Sequence, residues 1–272
     1  MYKALENSLF SRKPEKFENI RVIAREFNGA YNGNNIVQDD VFGIIENYTG
    51  REGRPLELFH IPIEDQELCA CTFLRGDRIF AMINSNMILA KQIFAAAHEL
   101  YHIYCYFEGE NMNLSRHGSI LTSSSMDAEE IEAEDMEANA FAGLFLAPSV
   151  QISERMDIYG IDTKNILFAD ILKLIDLFAI PYKAMLLRLY EEKYLNEARV
   201  RDLFSIGEAE VIRQIKITGK GKRWYRIPSD RIGFGSLMEN FEVNKQLDAL
   251  NEHRLQTDEK RIAELYEMLK QN

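Results

Sequence analysis

Between residues 14 and 48, apolar side chains recur three and four positions apart. Ile20, Ile23 and Phe27, with Val22, make one set, and Val37, Val41, Ile44 and Ile45 a second, with glycine and asparagine as breakers between them. This spacing predicts two amphipathic helices, over 14–29 and 36–48. The period then shortens. "LELFHIPI", "ELCACTFLR" and "RIFAMINS" are brief apolar runs, and Gly76-Asp77 between the last two fits a tight turn, so a small sheet should follow the helices. From Ile88 to about Phe107 the pattern is that of one long, largely buried helix. The polar, serine-rich stretch "EGENMNLSRHGSILTSSSMDAEE" predicts a mobile loop, and a second helix is expected over 128–146.

Helical spacing resumes between about 163 and 206 in "FADILKLIDLF" and "YKAMLLRLYEEKYL", interrupted at Ile180-Pro181. In "EVIRQIKITGKGKRWYRIP" two alternating stretches flank Gly219-Lys220-Gly221, which predicts a β-hairpin. The charged segment "EKRIAELYEMLKQN", with Ile262, Leu265 and Leu269 on one stripe, predicts a closing helix packed on its own domain. No internal repeat is present. The expected architecture is α+β, mainly helical with a small antiparallel or mixed sheet. Its expected divisions are a core over 1–160, a helical segment over 161–206, and a hairpin with a C-terminal helix over 207–272.

Composition narrows the class. With 272 residues, 46% hydrophobic and 28% charged, the chain is an ordinary globular one. The N-terminal "MYKALENSLFSRKPEKF" lacks a signal-peptide apolar core, and no run approaches the roughly 18 apolar residues of a membrane span, so a cytoplasmic location is expected. Cys69, Cys71 and Cys105 are too few and too irregularly spaced for a disulfide framework and read as small hydrophobes. A net charge of -11 excludes a surface that is everywhere a nucleic-acid clamp. One segment runs against that charge: Arg213, Lys216, Lys220, Lys222, Arg223 and Arg226 gather beside Trp224 and Tyr225, a candidate contact with nucleic acid or an acidic partner.

The chemistry lies in "AAAHELYHIYC". Of 5 histidines in the chain, two stand four apart with a glutamate between, a pattern that chance supplies with an expectation of roughly 0.01. On a helix His98 and His102 project from one face and reach a single metal ion, while Glu99 is placed to act as general base. A catalytic zinc takes three protein ligands and keeps one position open. The third is expected from "EIEAEDMEANAFAGLFLAP", which sets acidic residues at the start of an apolar helix.

"HELYH" together with "DMEANAFAGLFLAP" resembles the ImmA/IrrE family of metallopeptidases, with Ala138, Asn139, Phe141, Ala142 and the end Phe145-Leu146-Ala147-Pro148 matching its second motif. The likeness covers about 60–190. It implies a zincin-like core and places the third ligand on Asp135, where the family usually has a glutamate. Glu134 and Glu137 are the alternatives, and successive helical residues lie about 100° apart, so the three cannot all face one ion. Asn139, one turn beyond Asp135, is expected to hydrogen-bond a ligand histidine. Tyr101 stands where the family often has glycine.

In this reading zinc holds a water of lowered pKa and Glu99 moves its proton. Tyr101, Tyr104 and His117 are candidate oxyanion donors, and the "RIFAMINS" strand is the expected edge for an extended substrate. The implied activity is endopeptidase cleavage of a helix-turn-helix transcriptional repressor or similar regulatory protein. The alternative is a non-proteolytic metal-binding regulator acting through protein or nucleic acid, which the shorter Asp135 favours.

Overall fold

The computed structural model describes residues 3–65, 67–109, 114, 118–123, 132–228 and 232–270. Two short helical turns, Lys3–Glu6 and Leu9–Arg12, lead into α1 (Pro14–Asn32), which starts on proline, a residue whose missing N–H costs nothing at that position. Its stripe of Phe17, Ile20, Ala24 and Phe27 is buried, and Val22 stays exposed. The second helix, α2 (Val41–Arg51), begins later than the spacing predicts, because Gln38 has a positive φ of 50° and a single 3-10 turn occupies Gln38–Asp40.

The three predicted strands form as β1 (Leu56–Ile61), β2 (Leu68–Arg75) and β3 (Arg78–Asn84). With β4 (Ser119–Thr122) and β5 (Gly233–Phe234) they make a mixed sheet of order β4-β2-β3-β1-β5, in which β1 and β3 run parallel and the other neighbours antiparallel. This corrects the expected substrate edge. The "RIFAMINS" strand is central, bonded to β2 on one side and β1 on the other, as suits its nearly continuous apolar run. An outer position belongs instead to β4, which lies inside the stretch expected to be loop. Gly118 makes its approach feasible: φ is 72°, and a Cβ there would sit 2.7 Å from the Thr72 carbonyl oxygen of β2. The rest of that stretch lies largely outside the described residues.

Ile79, Ala81 and Ile83 of β3 and Ala70 of β2 share one buried core with Ile93, Ala96, Ala97 and Leu100 of α3 (Leu89–Glu108), the long helix predicted. The next helix, α4 (Ala133–Leu146), packs against both α3 and α1, and Phe27, Phe141 and Phe145 meet there at centroid distances of 5.5–6.0 Å. Cys105 is buried, as read, and all three cysteines are free thiols. Helices α5 (Ser149–Ile158), α6 (Phe168–Phe178), α7 (Tyr182–Glu191) and α8 (Glu197–Phe204) follow.

The predicted hairpin does not form. Glu208–Thr218 is a helix, α9, closed by Gly219 at φ 73° whose N–H donates to the Ile215 carbonyl. In "VIRQIKIT" the β-branched residues satisfy both periods, and packing decides: Val211 and Ile215, four apart, are buried, while Ile217 remains 65% exposed. After it the chain folds back on the core. Trp224 is buried and its indole N–H donates to the Asp176 carbonyl at 2.6 Å. Ile88 gives the start of α3 no side-chain cap, and the Leu89 and Ala90 amides donate instead to the carbonyls of Arg226 (3.0 Å) and Trp224 (2.9 Å). The chain closes with α10 (Leu237–Gln246) and α11 (Glu252–Lys270), whose Tyr266 meets Phe234 edge-on at 5.8 Å and whose Leu269 is buried. Among the described residues no helix is long and apolar enough to cross a membrane.

Candidate metal centre

The fold brings His98 and His102 of α3 together with Asp135 of α4. Their nearest donor atoms all lie within 4.8 Å of one another. The two Nε2 atoms are 3.1 Å apart, and Asp135 Oδ1 stands 3.4 Å from that of His102 and 3.7 Å from that of His98. Tetrahedral zinc with bonds of about 2.0–2.1 Å sets donors roughly 3.3 Å apart, so the spacing of this trio fits.

The outer nitrogens are each engaged. His98 Nδ1 donates to Asn139 Oδ1 at 3.0 Å, and His102 Nδ1 donates to Glu134 Oε1 at 2.7 Å. Both bonds fix the tautomer that leaves the Nε2 lone pairs for an ion. The three neighbouring acids thus face three ways. Asp135 turns to the imidazoles, Glu134 grips the back of His102, and Glu137 accepts from the Tyr101 hydroxyl at 2.8 Å and from Lys16 at 3.3 Å. Proximity of Glu134 to His102 Nδ1 was not readable from spacing, because it depends on where the two helices cross.

The electrostatics of the trio call for positive charge. Burial opposes an imidazolium at His102, yet hydrogen bonds to Asp135 and Glu134 and the charge of Glu99 outweigh it and push its pKa up to about 10. Burial likewise raises the Asp135 carboxyl, but hydrogen bonds from His102 and His98 and their charges win and hold it well below the usual carboxylate range. Without an ion, protons fill the place of the charge.

Glu99 is fully buried, and neither carboxylate oxygen has a hydrogen-bond partner among the described residues. A buried carboxylate left so costs stability unless a ligand or water completes it. Tyr101 does not aim its hydroxyl at the centre; it is committed to Glu137, and burial, Cys105 and Glu137 keep it protonated beyond its usual range. Tyr104 packs edge-on toward Phe27 at 6.3 Å. His117 lies outside the described residues. The basic segment stands elsewhere, with Arg213 bound to Glu210 at 2.6 Å and Arg223 to Asp39 at 3.1 Å.

A histidine pair one turn apart on a buried helix, a facing carboxylate from a second helix and an unpartnered glutamate between them are the make-up of a metal-dependent peptidase. Residues 57–190 match the IrrE N-terminal-like domain of the M78 peptidases, and this part of the chain belongs to the ImmA/IrrE family of metallopeptidases. Comparison with curated proteins found no match.

Proposed function

We propose that the protein is a zinc-dependent endopeptidase of the cytoplasm that cleaves a regulatory protein, with a helix-turn-helix transcriptional repressor as the partner class its family implies. One observation carries the reading. His98 Nε2, His102 Nε2 and Asp135 Oδ1 converge while the buried Glu99 carboxylate beside them lacks a partner. Zinc bound by this trio would polarise a scissile carbonyl and acidify water.

The remaining work falls to the chain. Glu99 takes a proton from the attacking water and delivers it to the leaving nitrogen. Asn139 and Glu134 hold the two imidazoles in their tautomers, and burial of both rings excludes competing solvent. The short Asp135 reaches both rings, so it does not disable the centre, and the unpartnered Glu99 carboxylate, which a merely structural metal site has no use for, supports the peptidase reading over a non-catalytic regulator. The test is cleavage of helix-turn-helix repressors from the organism that makes this protein, by the zinc-loaded wild type and by Glu99→Gln. Cleavage by the wild type alone supports the proposal; cleavage by both, or by neither at full zinc occupancy, refutes it.

A further inference from the structure

A cavity of about 270 Å³ lies where the family domain meets the chain beyond residue 205. Ile88 and Phe94 at the start of α3, Leu121 of β4 and Tyr182 of α7 make its walls, completed by Val211 of α9 and Tyr225. Most of that surface is apolar, so water inside finds few hydrogen-bond partners. The volume is nearly twice that of the roughly 150 Å³ apolar cavity that takes up benzene, enough for one ring with a short chain.

Its charged groups are few and do not balance. Lys91, Lys183 and Glu208 line it, two cations against one anion. Lys91 pairs with Glu208 at 3.3 Å, but Glu208 is 57% exposed, and pairs as exposed as this are weak and yield to a competing anion. Asn139 of α4 adds a neutral polar group. Its Oδ1 accepts from His98 Nδ1 at 3.0 Å, while its amide nitrogen has no hydrogen-bond partner among the described residues. Apolar walls with a few placed polar groups are the usual make-up of a small-molecule site.

We propose that this cavity binds a small amphipathic carboxylate, with an apolar body of about one ring, and that its occupancy is felt at the metal centre through Asn139. The body fills the apolar volume, and the carboxylate displaces Glu208 from Lys91. Asn139 belongs to both sites, so a ligand in contact with it alters the bond that orients the His98 ring. Zinc and ligand then change each other's affinity by one common factor. The ligand site is independent of the peptidase reading; the link rests on zinc being held by His98, His102 and Asp135.

The experiment titrates the full metal-free chain with 3-phenylpropionate and with its neutral amide, 3-phenylpropionamide, by calorimetry. The carboxylate should bind saturably, one per chain, and about fivefold or more tighter than the amide. Val211→Trp and Ala184→Leu, on separate elements, each narrow the cavity and should weaken both compounds by about tenfold or more. Circular dichroism identifies the folded variants, and one suffices. Lys91→Gln should bring the carboxylate down to the affinity of the amide. No saturable binding, or binding unchanged in a folded narrowed variant, overturns the site, and equal affinity for the two compounds overturns the carboxylate assignment. Repeating the titration on the zinc-loaded chain tests the link, which calls for a change of about fivefold or more in 3-phenylpropionate affinity. Equal affinity in the two forms overturns the link, and so does a gain that persists in a narrowed variant, which marks coordination to zinc itself.

Discussion

His102 is gripped on opposite nitrogens by two consecutive residues: Glu134 Oε1 lies 2.7 Å from Nδ1, and Asp135 Oδ1 lies 3.4 Å from Nε2. Neighbours on α4, they do unequal work. Asp135→Ala removes a donor to the ion and should lower zinc affinity beyond the range of the other acids. Glu134→Ala loosens the ring behind the ion and should cost about 10–100-fold. Glu137→Ala releases Tyr101 and should leave zinc in place. Competition titrations with a chelator rank the three, and loss of zinc from Glu137→Ala alone would contradict the arrangement.

Glu99→Gln should retain stoichiometric zinc, abolish peptide cleavage and lower the His102 pKa, because the Glu99 charge is one of the interactions that hold that pKa up in the metal-free protein. Histidine titration by NMR of the metal-free forms checks it; a His102 pKa unchanged by the substitution would mean that the Glu99 charge does not reach the ring.

Zinc should displace a proton. In the metal-free protein the His102 pKa stands at about 10, so the ring is protonated at neutral pH and must lose that proton before Nε2 can bind an ion. Affinity therefore rises with pH and falls by up to roughly tenfold for each unit of acidification below that value. Calorimetry at neutral pH in buffers of different ionisation enthalpy should register about one proton released per zinc from His102.

Glu57 of β1 ties the sheet to the C-terminal part. It accepts from the Ser236 amide at 2.8 Å, from its hydroxyl at 2.7 Å and from Arg78 at 2.6 Å, and these bonds, against the opposing effect of burial, hold its carboxyl below the usual range. A depressed folded pKa adds stability above the ordinary carboxylate pKa and loses it as pH falls through the folded value. Glu57→Gln should accordingly melt lower than wild type at neutral pH, with the gap closing in acid. Gly235→Ala should be worse at every pH by about 1–3 kcal/mol, since φ is 56° and the added Cβ would meet Glu57 Oε2 at 2.5 Å.

Much of the centre was legible because it is written in local spacing. His98, Glu99 and His102 share one helix, and Asp135 and Asn139 another, so two periodicities and one family motif suffice to place them. What failed was non-local. Strand order depends on which edges meet, so β3 read as an edge though β1 returns beside it in parallel. The run from Val211 to Ile217 fits strand and helix alike, and only burial of Val211 and Ile215 against the rest of the chain separates them. Nor does any pattern announce that the carbonyls of Trp224 and Arg226 end up on α3.

Those two carbonyls also order events in time. A growing polypeptide leaves the ribosome from its N-terminus, and the histidine-bearing α3 emerges more than a hundred residues before the groups that close its first turn. Until residue 226 is out, the Leu89 and Ala90 amides lack those acceptors. The helix that carries His98 and His102 is therefore completed late, and a chain made only as far as residue 223 holds the candidate centre without its final setting.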